Sequence, residues 1–182
     1  MGISTLISTS TASNSASVAI TSGIDSTYDE YMFVFTDIAA AVDEGRFEFQ
    51  VNVAGQSGYN ETITSTSFEA KHEETGEENV FFRISTDSDQ AQGTAYQGMV
   101  TQLENTAPGA CAGILQLFTP SDTTYVKHFY SRMSGEEYSS PQNYVVQYFS
   151  AGYINVTGAI DEISFKMHNG NFSGVIQMYG IS

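Results

Sequence analysis

The sequence is short of cations. Its 182 residues hold 6 Lys and Arg against 21 Asp and Glu, a formal net charge of −15. That balance opposes packing against nucleic acid, whose phosphates carry the same sign. Cysteine occurs once, as Cys111, which excludes an intramolecular disulfide framework and any multi-thiolate metal site. Tryptophan is absent and proline occurs three times, so the chain is not a Pro-rich stalk or linker. No apolar run reaches the ~18 residues that a membrane-spanning helix needs, and no membrane partner is expected. The N-terminus carries no Lys or Arg and no apolar stretch of the kind that marks a secretory signal, so none is expected. Gly-rich phosphate loops, the G-x-S-x-G elbow and the H-E-x-x-H pair are all missing.

What is present favours strands. There are 12 Phe, 11 Tyr, 22 Ser and 18 Thr, and aromatic and β-branched side chains suit a pleated, half-buried surface. A hydrophobic content of 41% is too high for a disordered chain despite the charge. The length suits one domain, burying about 70% of its unfolded surface.

Period-2 alternation marks strands along the chain. It is clearest over residues 46–54, where Phe47, Phe49, Val51 and Val53 oppose Glu48, Gln50 and Asn52. Similar runs occupy 17–21, 31–36, 61–68, 80–85, 95–103, 111–119, 124–132, 144–153, 160–167 and 175–181, separated by Gly, Pro and Asp turns. Residues 69–79, rich in Glu, read as a solvated loop or edge, and 134–142 as a polar loop. No stretch sustains helical periodicity. The expectation is an all-β, antiparallel sandwich of about nine or ten strands, jelly-roll-like in topology, over residues 18–182. Residues 1–17 read as an extended arm that docks on a neighbouring subunit through Ile3, Leu6 and Ile7.

The residues that carry chemistry do not assemble into a motif. His72, His128 and His168 fall on different expected elements, so no catalytic residue and no enzyme activity is expected. Asp87 and Asp89 begin a D-x-D but lack the distant bidentate Glu of a Ca²⁺ loop, so a solvated turn is expected. Glu73, Glu74, Glu77 and Glu78 read as a solubilising charge run. No metal ligand set and no cofactor is expected. Cys111 heads an apolar strand and reads as a buried, inert thiol. Three glycosylation sequons, at Asn60, Asn155 and Asn171, matter only in a secreted eukaryotic protein. Tyr59 and Tyr138 fall in expected loops, which makes them the tyrosines best placed to contact a partner or a sugar ring.

Several stretches together resemble a family of virion structural proteins from marine bacteriophages, including phages of cyanobacteria. They are Ser22-Gly23-Ile24-Asp25-Ser26-Thr27-Tyr28-Asp29, Phe47-Glu48-Phe49-Gln50-Val51 and Leu117-Phe118-Thr119-Pro120-Ser121, then Tyr125-Val126-Lys127-His128-Phe129 and Ala151-Gly152-Tyr153-Ile154, and finally Phe165-Lys166-Met167 and Met178-Tyr179-Gly180-Ile181. The resemblance spans nearly the whole chain and implies a non-enzymatic virion subunit. It leaves open whether that subunit belongs to the head or the tail. The expected place is the particle exterior, as a capsid decoration or cement subunit. The expected partners are the major capsid protein or tail proteins and further copies of itself, a trimer being one arrangement that suits capsid symmetry. The alternative is a tail or tail-fibre module that recognises a host surface glycan.

Overall fold

A computed structural model describes residues 4–76, 80–105, 109–139 and 142–182. Ile3, one of the expected contact residues, lies outside the described residues. Thirteen strands and no helix form among them: β1 (Ser4–Ser15), β2 (Ser17–Ile20), β3 (Glu30–Ala40), β4 (Gly45–Val53), β5 (Ile63–Glu73), β6 (Val80–Ile84), β7 (Ala91–Gly93), β8 (Gln97–Leu103), β9 (Cys111–Phe118), β10 (Lys127–Ser139), β11 (Gln142–Ile154), β12 (Ile160–Met167) and β13 (Phe172–Ile181). Every pairing is antiparallel. All thirteen join one sheet, nearly closed into a barrel, and nine of them follow the path β1-β13-β3-β9-β10-β8-β4-β12-β2.

The core follows from the alternation. Phe33, Phe35, Phe47, Phe165 and Phe172 are fully buried, with neighbouring ring centroids 5.2 to 6.0 Å apart. Burying each such side chain contributes about 1.5–3 kcal/mol. Tyr31 is also buried, and its hydroxyl donates to the backbone oxygen of Asp25 at 3.0 Å, so the polar tip keeps a partner.

The segment expected as an arm is extended, and its hydrogen bonds go to its own sheet. β1 pairs with β13 from Ser4 opposite Ile181 to Ser15 opposite Phe172. Its uncharged Ser and Thr residues suit a strand, Ala12 is buried, and Ile7 packs against the core. Asn14 sits at φ 50° and turns the chain, and β2 then pairs with β12 at the opposite end of the path. One continuous N-terminal segment therefore spans both ends of the sheet. The thirteen strands exceed the nine or ten expected, and β1 and β7 are two that the sequence pattern does not mark.

A second set of strands leaves the barrel path. β11 pairs with β10 and β5, and β5 pairs in turn with β6 and β7. The inner face of this flap lies over β8. Ser65 Oγ donates to Gln97 Oε1 at 2.6 Å, Ser150 Oγ to the Gly98 oxygen at 3.4 Å, and Thr101 bonds Tyr148. The flap corrects two expectations. Residues 69–73 belong to β5, and 134–139 belong to β10 rather than to a polar loop. Glu69, Lys71, Glu73 and Glu137 point inward and are buried, which their charge had argued against.

Candidate functional site

Two features of the flap and β8 stand apart from ordinary packing: a charged, partly enclosed groove, and an apolar sheet face open to solvent.

The groove begins at a β-bulge. Gly45 pairs with Leu103 and Phe47 with Val100, so β8 carries one residue more than β4 between those pairs. Gln102 takes up the excess at φ 57°, a left-handed conformation that is strained for a residue with a Cβ. The bulge places Gln102 in the wall of a cavity of about 280 Å³, shared with Lys71, Phe81, Arg83, Glu137 and Tyr144. Three of these residues, Lys71, Arg83 and Glu137, join Glu69 in an ion network. Lys71 Nζ is 3.1 Å from Glu69 Oε1 and 2.5 Å from Glu137, and Arg83 Nε binds Glu69. Buried ions persist only when paired in this way. Burial raises the Glu137 carboxyl above its ordinary range, opposed by the bond from Lys71. Burial, followed by the Glu69 carboxylate, likewise raises the Tyr148 phenol, which stays neutral. The hydrogen bond to Glu69 holds the Arg83 guanidinium charged.

A neighbouring cavity of about 420 Å³ shares Arg83 and Gln102 and adds Arg46, Asp87 and His168. Arg46 is tied down on three sides: Nε to Glu48 at 3.2 Å, Nη1 to the Asp87 oxygen at 3.2 Å, and Nη2 to His168 Nδ1 at 2.8 Å. The groove thus offers donors and acceptors side by side, flanked by the Phe81 and Tyr144 rings, whose centroids lie 6.3 Å apart. Such an arrangement suits a neutral, hydroxyl-rich ligand rather than an ion.

The apolar face is the opposite side of the same flap. Strand register sets its rows. Arg132, Phe149, Phe68 and Ile84 form one row. Ser134, Gln147, Ala70 and Phe82 form the next, and Glu136, Val145, His72 and Val80 the third. Phe68 stacks on Phe149 at 4.9 Å and meets Phe82 at 5.4 Å, and the Arg132 guanidinium lies over the Phe149 ring at 5.6 Å. Phe82 is 73% exposed, Val80 61%, Ile84 55% and Val145 48%. A groove of about 520 Å³ runs over Ala70 between Val80, Phe82 and Val145. Among the described residues β6 pairs only with β5, so its outer edge has no partner strand there.

The residues singled out from the sequence lie elsewhere. Leu6 is exposed on β1, while Ile7 turns toward the core of its own sheet. Tyr59 is in the expected loop, but its hydroxyl donates to Glu162 Oε2 at 3.0 Å and its N–H to Asn52 Oδ1 at 2.8 Å. Burial and the Glu162 carboxylate push its phenol up to about 12. Tyr138 lies in β10, opposite Asn143, and not in a loop. The D-x-D serves the fold: Asp89 Oδ1 accepts the Ser67 N–H at 2.5 Å, and the Asp87 backbone oxygen holds Arg46. Among the described residues, no group of three or more His, Cys, Asp or Glu converges as a metal site would require. Cys111 is buried, and burial raises its thiol far above the ordinary range.

The groove did carry one sequence signal. Glu69, Lys71 and Glu73 recur with period 2 and alternating sign, the pattern of one strand face with paired charges. No family model, no curated protein and no solved structure matches the chain.

Proposed function

We propose that this chain is a non-enzymatic structural subunit on the exterior of a phage particle, most simply a capsid decoration or cement subunit. The observation that carries the reading is the apolar outer face of β6, β5, β11 and β10. Monomers seldom leave contiguous apolar patches of this kind open, and a face like this is normally covered by another chain. The rest of the molecule supports a scaffold role. A large rigid core and one continuous sheet hold that face in place, and the net charge of −15 keeps the subunit off packaged DNA. On this reading the flap and β8 are the two layers of a jelly-roll-like sandwich, and the partners are the major capsid protein and further copies of the chain. Immunogold labelling of intact particles tests it. Gold on the outer head surface is expected; no label on intact particles overturns the exterior role.

A second reading, a tail or tail-fibre module that binds a host glycan, draws on the groove at the β8 bulge. Its mixed donors and acceptors beside Phe81 and Tyr144 suit a saccharide. A host-polysaccharide array is the test, with binding lost in Gln102→Ala. An array without a hit removes this reading.

A further inference from the structure

The reading above requires a chain to cover the outer face of the flap. We propose that this chain is a second copy of the same protein, packed face to face across a two-fold axis that runs across the strands through the row of Ser134, Gln147, Ala70 and Phe82.

The charge distribution selects that partner and that axis. A molecule at −15 repels its own copy over most of its surface. Among the twelve residues of the three rows, however, Glu136 is the only carboxylate, and Arg132 stands four residues away on the same strand. Glu136 sits among further acids. Asn143 Nδ2 donates to both Glu136 Oε1 at 2.9 Å and Glu104 Oε2 at 3.3 Å, and burial, followed by the charges of Glu74 and Glu104, raises the Glu136 carboxyl. One end of the face is therefore acidic and the other carries Arg132. The two-fold operation exchanges the ends. It brings each Arg132 over the acidic end of the other copy, twice per pair.

The apolar residues match under the same operation. Ile84 falls opposite Val80 of the second copy, and Phe149 opposite its Val145. Phe82 lies on the axis row beside Ala70, whose small side chain floors the 520 Å³ groove. Phe82 on the axis row thus meets Phe82 of the second copy, beside the groove over Ala70. Stacked sheets pack ~10 Å apart and cross at about −30°. An isologous two-fold contact is also the commonest way for a chain to pair with itself.

The inference rests on the face being covered in the particle, and its test separates the two claims. Light scattering on the full chain is expected to give twice the chain mass at micromolar concentration. Arg132→Glu places like charges at both ends and is expected to raise the dissociation constant by about tenfold or more. Arg132→Glu combined with Glu136→Arg is expected to recover most of that loss. Phe82→Glu, at a largely exposed position, is expected to give a folded monomer, with folding checked by its thermal transition. A monomeric or trimeric wild type overturns the proposal, as does an Arg132→Glu variant that dimerises like the wild type. A monomer whose face is nevertheless covered by another protein on the particle overturns self-pairing alone. A chain missing from the particle strikes the particle role and leaves self-pairing standing.

Discussion

At the scale of single residues, buried charge dominates. Lys71 holds two buried carboxylates, Glu69 and Glu137. Replacing it by methionine keeps the volume and leaves the acids facing each other. Lys71→Met is expected to lose about 3–5 kcal/mol in urea denaturation at pH 7, the usual cost of orphaning a buried ion. The pH dependence follows from Glu137. Its folded pKa is raised, so its contribution is fully present below the ordinary 4.5 and is lost as pH rises through the folded value. The variant should therefore approach the wild type in acid and fall behind it as pH rises. Asp122 gives the opposite sign. Its carboxylate accepts the N–H groups of Tyr125 and Thr124, which lower its pKa below 3.8. Its contribution is present above 3.8 and lost as pH falls, so the melting difference between wild type and Asp122→Ala should vanish in strong acid.

At the scale of elements, sequence and structure agree where one face is apolar and part where both faces are polar. β4 is legible because Phe47, Phe49 and Val51 alternate with polar residues and their burial sets the register. The last turns of β5 and β10 are not, because Glu69, Lys71 and Glu137 read individually as solvated. Their burial depends on pairing across the sheet: Lys71 of β5 meets Glu137 of β10, 66 residues away in sequence, and Glu69 is also held by Arg83. The groove was hidden for the same reason, since the bulge at Gln102 arises from the pairing of β8 with β4. The free apolar edge was half visible: residues 80–85 read as a strand, but nothing local shows that β6 ends the sheet. Composition alone does not place β1, since an uncharged Ser/Thr run suits an arm and an edge strand equally. Because β1 pairs along β13 and leads directly into β2, removing residues 1–15 should lower Tm by about 5 °C or more in calorimetry. An unchanged transition would show that β1 adds nothing to the fold.

At the scale of the whole molecule, an acidic barrel carries one apolar sheet face and one mixed-charge groove on opposite sides of the same flap. The proposed role is that of a scaffold whose apolar flap face another chain covers. A cryo-EM map of the intact particle, with this chain traced into it, decides it. Density is expected on the outer surface, with the rows of Arg132, Phe82 and Val80 buried against another chain. A particle that lacks the chain, or carries it with that face open to solvent, rules the role out.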